Sequence, residues 1–154
     1  MGELLKTEIK QTKPFASVEE EAFLNLVRTA NDLWQELGGM LRRRKLTPTQ
    51  YNVLRILRGA GEEGLPCGEV GARMVTREPD VTRLLDRLEH RGLVSRRRSA
   101  TDRRVVEARI TDAGLELLAA LDEPVDVFTV RQLGHLGPAR LGVLIELLEA
   151  VRER

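Results

Sequence analysis

Seven arginines fall between positions 91 and 109 (Arg91, Arg96, Arg97, Arg98, Arg103, Arg104 and Arg109), and only two acids, Asp102 and Glu107, accompany them. That local excess of +5 sits in a chain whose net charge is +1, so the remainder must carry −4. Segregation of this kind is the pattern of a polyanion-binding patch on an otherwise acidic protein. Just ahead of the patch, Val81, Leu84, Leu85 and Leu88 recur at i, i+3, i+4 and i+7, the spacing of one buried helical stripe. A helix over 79–90 therefore keeps Asp80, Thr82, Arg83, Asp86, Arg87 and His90 on its other face. A free polar helix face beside an arginine-rich segment suits the reading of DNA better than covalent chemistry.

The elements that must position these residues follow from local signals. Arg91-Gly92 ends the helix, because glycine takes the left-handed cap conformation without a Cβ penalty. Two short runs follow, 93–98 and 104–111, joined by 99–103. The second alternates Val106, Ala108 and Ile110 against Val105, Glu107 and Arg109, which reads as a half-buried strand. On a strand alternate side chains point to opposite faces, so Arg96 and Arg98 share one face and Arg97 takes the other; the three cannot all touch DNA. The whole segment is a candidate winged helix-turn-helix.

Around it, 154 residues rich in Leu, Val and Ala and poor in aromatics describe a mainly α protein with a small β-hairpin wing. Residues 1–16 show no strong period and read as an arm. Ser17-Val18-Glu19-Glu20 is a capping-box start, opening a long helix whose stripe is Val18, Ala22, Leu26, Ala30, Leu33, Leu37 and Leu41, widened by Phe23 and Trp34. Gly38-Gly39 should weaken its last turns. Arg42-Arg43-Arg44-Lys45 places cations at its C-terminus, where the dipole favours them; a solvated helix end is preferred here to a second nucleic-acid patch. Thr47-Pro48-Thr49-Gln50 starts the next helix, Leu65-Pro66-Cys67 a very short strand, and Gly68 to Met74 a third helix. A Thr-capped helix begins at Thr111 and meets Pro124, where a kink is expected. Pro138 opens the last helix, striped by Leu141, Leu144, Ile145, Leu148 and Val151.

The outer helices carry more apolar surface than a small central lobe covers. Pairing with a second copy would bury it, as a two-fold dimer reading two half-sites roughly 34 Å apart in a pseudo-palindromic operator. The expected division is 1–45 for the arm and first dimerisation helix, 46–111 for the winged helix-turn-helix domain, and 112–154 for the C-terminal dimerisation helices.

Other classes find little support. No glycine-rich phosphate loop, nucleophile elbow or spaced His/carboxylate set is present, so no catalytic residue is assigned. Cys67, His90 and His135 stand singly, without zinc-ligand spacing, and neither metal nor cofactor is expected. One cysteine, no signal-like start and no apolar run near 20 residues point to a cytoplasmic location and no membrane partner. Cys67, read as the N-cap of the third helix, leaves a redox-responsive regulator open as an alternative; a small residue filling a cap is the plainer account. A winged-helix module used only for protein contacts is a further alternative, although it has no need of seven arginines around one hairpin.

In the segments LTPTQYNVLRIL (46–57), PDVTRLLDRLEHRGLV (79–94) and TDRRVVEARITDAG (101–114) the chain resembles the MarR family, the multiple-antibiotic-resistance type regulators, from about Ser17 to Arg152. The resemblance implies a homodimeric winged-helix transcriptional regulator, usually a repressor whose affinity for double-stranded DNA changes with a small aromatic or phenolic effector. The family's wing Asp-x-Arg pair falls on Asp102 and Arg104 with Arg103 between them. Either Asp102 orients Arg104 while Arg103 enters the minor groove, or the two arginines exchange roles. On the reading helix Pro79, Asp80, Thr82 and Arg83 occupy groove-facing positions. There Arg83 suits guanine and Thr82 a phosphate or thymine methyl, while Asp80 either accepts from cytosine or serves the helix N-terminus. Arg77 suits phosphate, and Arg96 and Arg98 join the wing set. The resemblance places the effector near Trp34 and Tyr51.

Overall fold

Thr47 shows why the central lobe begins where it does. Its side chain accepts from the Gln50 amide while the Gln50 side chain accepts from the Thr47 amide, and Pro48 occupies the first helical position. A computed structural model of the chain, describing residues 3–153, develops from such starts into a mainly helical molecule with one small sheet. Its elements are α1 (Leu4–Glu8), α2 (Val18–Leu41), α3 (Pro48–Ala60), β1 (Leu65–Pro66), α4 (Cys67–Ala72), α5 (Val81–His90), β2 (Val94–Arg98), β3 (Val106–Ile110), α6 (Asp112–Leu133) and α7 (Gly137–Arg152). The sheet has the order β1-β3-β2, antiparallel throughout, with Leu65 opposite Ala108 and Arg96 opposite Ala108 on the other side. Helices α3, α4 and α5 with this sheet form a winged helix-turn-helix.

The core is aliphatic, as the composition requires. Leu41, Val53, Leu54, Leu57, Val70, Leu85, Leu88, Val94, Ala108 and Leu118 are fully buried, drawn from α2 through α6. Glycines allow close approach where a side chain would obstruct. A Cβ on Gly114 would lie 2.5 Å from the Leu93 carbonyl oxygen and 2.6 Å from Ile110, and one on Gly71 would meet Val81 at 3.0 Å. Gly92, with φ of 71°, makes the turn that ends α5.

Several boundaries differ from expectation. Residues 1 and 2 of the arm lie outside the described residues; within the rest, α1 forms and buries Leu5 at 2% exposure. At α2 the Ser17 hydroxyl accepts from Glu20 N–H as expected, but the Glu20 carboxylate accepts from Ala16 rather than from Ser17 itself. α2 is continuous through Gly38-Gly39. It runs to Leu41, where a 3-10 turn over Arg42–Arg44 takes over. The third helix is Cys67–Ala72, two residues shorter at its C-terminus than expected, and Pro66 rather than Cys67 is its N-cap. Pro124 does not divide its segment: α6 is one helix of 22 residues. Leu121, Val125 and Phe128, on both sides of the proline, are buried against the lobe, and that packing holds the element together despite the missing ladder bond.

α7 ends differently from the rest. None of its residues is buried, and Val143, Ile145, Leu147 and Val151 stand 46–61% exposed. α2 likewise exposes Val18, Phe23, Leu26 and Val27, and α6 exposes Val127 and Val130.

Candidate nucleic-acid interface

Asp80 ends the eight-residue turn that follows α4 and caps α5, its carboxylate accepting from the Arg83 amide at 2.9 Å. The helix therefore starts at Val81 rather than Pro79, and Pro79 and Asp80 belong to its approach. Of the two roles open to Asp80, the structure shows the helix N-terminus; one carboxylate oxygen is engaged there. Arg77, Pro79, Thr82 and Arg83 are exposed around this start, while Leu84, Leu85 and Leu88 turn into the core.

The hairpin corrects the assignment of its arginines. Val94 and Ala108 are fully buried, so the face of β2 and β3 that they occupy is the inner one, and Arg96 and Arg98 share it by strand alternation. Arg96 accordingly folds inward. Its Nη2 donates to Glu89 at 3.0 Å and to Asp86, and its backbone amide donates to the second Glu89 oxygen at 2.8 Å. With its side chain only 19% exposed, Arg96 ties the wing to α5 rather than extending toward DNA. The hydrogen bond from Arg96 holds the Glu89 carboxyl below its ordinary value, and the paired carboxylates raise Arg96. Arg98, although exposed, spends Nη1 on the Arg103 carbonyl at 2.7 Å and so fixes the tip from below. Arg97, on the outer face, stands opposite Glu107.

At the tip, Asp102 accepts from the Arg104 amide at 3.0 Å with its side chain and from the Val105 amide at 3.0 Å with its carbonyl. It shapes the backbone that presents Arg103 and Arg104 rather than gripping a guanidinium. Buried Ser99 closes the loop by donating its amide to the Val105 carbonyl at 2.9 Å. Arg103 and Arg104 are exposed, and among the described residues neither takes part in an ion pair. The result is a free polar helix start beside a hydrogen-bonded tip that carries two guanidinium groups outside any ion pair.

Trp34 and Tyr51 do come together. They line an open groove of 530 Å³ between α2, α3 and α6, with Phe128, Val125, Ile56, Leu37, Pro48, Asn52, Arg55, Thr129 and Val75. Sequence reasoning missed Arg55, whose guanidinium carbon lies 5.9 Å from the centre of the Tyr51 ring and supplies the groove's cation. It also missed Asn52, whose side-chain oxygen accepts from the Val75 amide at 2.8 Å and so joins the groove wall to the turn ahead of α5. Arg55 is four residues beyond Tyr51 on one helix, which was a readable signal. The Asn52 bond spans 23 residues and was not.

Cys67 is the first residue of α4, and burial pushes its thiol up despite nearby Arg96. A raised value lowers the thiolate fraction on which oxidation chemistry depends, which weighs against the redox alternative.

Comparison with known proteins places this architecture. The model of the MarR family matches residues 46–106. The HTH-type transcriptional regulator MhqR of Bacillus subtilis (strain 168) is 29% identical over 119 residues, or 72% of this chain and 81% of that protein. Among solved structures, a MarR transcription factor from Planctomyces limnophilus is 44% identical, covering 89% of this chain and 99% of its own, with a TM-score of 0.68. The transcriptional repressor CouR, solved on a 23-mer DNA duplex, is 26% identical over 93% of this chain and 100% of its own, with a TM-score of 0.79.

Proposed function

We propose, from the premise that the chain belongs to the MarR family of DNA-binding transcriptional regulators, that it acts in the cytoplasm as a homodimeric, ligand-responsive repressor of a pseudo-palindromic operator. The observation that carries the reading is the pairing of a free reading-helix start with a wing tip whose two arginines are exposed and unpaired. Thr82 and Arg83 meet base edges in the major groove, Arg77 meets phosphate, and Arg103 and Arg104 meet the adjacent minor groove and its backbone. Asp80, Asp102, Arg96 and Arg98 hold those groups in place.

The exposed apolar residues of α2, α6 and α7 support the dimer, since a second copy is the occupant that covers the same surface on both partners. In this arrangement 1–45 and 112–154 form the pairing region and 46–111 the DNA-binding domain. The effector lies in the groove of Trp34, Tyr51 and Phe128, where three aromatic rings and the Arg55 cation suit a small aromatic or phenolic anion. The Asn52 bond to Val75 gives occupancy of that groove a direct connection to the approach of α5.

Footprinting on the DNA flanking its own gene tests the reading. The expected result is one protected segment with two-fold related half-sites about 10 base pairs apart, released by an aromatic acid such as benzoate in the wild type and retained in Arg55→Ala. Protection at no segment contradicts the DNA reading; protection indifferent to a panel of aromatic acids contradicts the ligand response alone.

A further inference from the structure

The two flanks of the reading helix are treated differently by their neighbours. At 100° per residue, Glu89 and Asp86 fall on one flank of α5, and Arg83, Arg87 and Arg91 at i, i+4 and i+8 run along the other for about 12 Å. The acidic flank is the one that Arg96 ties to the hairpin. The basic flank is met by the turn that leaves α2: Arg91 Nη1 donates to the Lys45 carbonyl at 2.5 Å and Nη2 to the Arg44 carbonyl at 3.3 Å. Lys45 itself holds a left-handed backbone, φ 55°, that folds the 3-10 turn of Arg42, Arg43 and Arg44 back against the end of α5.

This contact changes what the four cations after α2 are. On sequence they are a helix end favoured by its dipole, but two of the carbonyls on that turn are taken by Arg91. Arg42, Arg43, Arg44, Lys45, Arg87 and Arg91 are all exposed, and among the described residues none is in an ion pair. Asp86 lines the same notch as Lys45, Arg87, His90 and Arg91 but is bonded to Arg96, and Glu36, which shares a cavity with Arg43, forms no ion pair with it. The reading helix thus lies between two basic rims, the wing on one flank and this turn on the other.

A major groove about 12 Å wide has two phosphate walls. We propose that the 42–45 turn together with Arg87 is a second phosphate clamp, which grips the wall of the major groove opposite the one nearest the wing. Arg91 positions it by holding the turn through two carbonyls and leaving the neighbouring side chains directed at solvent. The clamp reads no bases; it adds sequence-independent affinity and fixes the tilt of α5 in the groove. The proposal rests on the DNA-binding role of the lobe.

The test uses the full chain and a random duplex of about three helical turns, with binding followed by anisotropy over a range of KCl concentrations. The variants are Arg43→Gln/Arg44→Gln/Lys45→Gln and, separately, Arg87→Gln, whose exposed side chain leaves the fold intact; the wing variant Arg103→Ala/Arg104→Ala is the comparison. The expected result is a slope of log affinity against log salt that falls in magnitude by about 2 to 3 per bound protomer in the triple variant and about 1 in Arg87→Gln. A slope unchanged in both, with the wing variant still reducing it, overturns the clamp and leaves the DNA-binding role standing. A wild-type chain whose binding shows no salt dependence overturns both.

Discussion

Replacing Arg96 with methionine separates a bracing role from a DNA-contacting one. Methionine keeps the packing of the aliphatic stem but removes the guanidinium that reaches Asp86 and Glu89, while the backbone bond from residue 96 to Glu89 is retained. The arginine is 19% exposed but its partners are 55% and 39% exposed, so these are partly solvated pairs. Each is worth roughly 0.2–1 kcal/mol, giving a loss of about 1 kcal/mol, or a fall in Tm of about 2–4 °C for a domain of this size. The loss should depend on pH. Glu89 is held below its ordinary value by Arg96, so the pair contributes stability above about pH 4.3 and surrenders it as the pH falls through the lower folded value. Thermal unfolding of Arg96→Met and wild type should therefore show a gap near neutrality that closes in acid. The slope of DNA affinity against salt should stay at the wild-type value. An unchanged Tm with a slope reduced by about 1 per protomer would refute the bracing role and return Arg96 to the phosphate contacts.

Gly114→Ala should destabilise by about 1–3 kcal/mol, read in urea unfolding, because its Cβ would meet the Leu93 carbonyl at 2.5 Å and Ile110 at 2.6 Å with no flexible tip to yield. Leu147→Asp on α7, where leucine is 61% exposed in the single chain, should convert a dimer to a monomer by light scattering with little change in far-UV circular dichroism; a mass unchanged from wild type would remove α7 from the pairing surface. Cys67→Ser should respond to peroxide in DNA-binding assays as the wild type does, given a thiol raised by burial; loss of a peroxide response on substitution would restore the redox reading.

What was legible in the chain was what local spacing controls. The Thr47 and Ser17 starts, the Gly92 stop, the stripe of Leu84, Leu85 and Leu88, and the alternation about Ala108 all act within a few residues, and each appears where its chemistry dictates. Less legible was which way an element faces. That Arg96 and Arg98 share a face follows from strand alternation, but that this face turns inward depends on the burial of Val94 and Ala108 as β2 packs on α5 and β3 on α3, a tertiary fact. Asp80 suited both a base contact and the dipole at the helix N-terminus, and the bond at 2.9 Å to the Arg83 amide shows the second of these. Pro124 lies inside one continuous helix, which the burial of Leu121, Val125 and Phe128 on both sides of it supports. Arg91 and the 42–45 turn lie 46 and 47 residues apart in the bonds that join them, beyond any local pattern.

In the proposed division of labour the start of α5 reads sequence and the wing tip supplies salt-dependent grip. One comparison tests it: affinity for the operator and for a random duplex, measured at several salt concentrations in Arg83→Ala and in Arg103→Ala/Arg104→Ala. Arg83→Ala should lose discrimination between the two duplexes by about 5–150-fold, the worth of one bidentate base contact, with binding to the random duplex nearly unchanged. The wing variant should lose affinity for both duplexes by similar factors, with a slope smaller by about 2 per protomer. Unchanged operator preference in Arg83→Ala together with an unchanged slope in the wing variant would contradict the account.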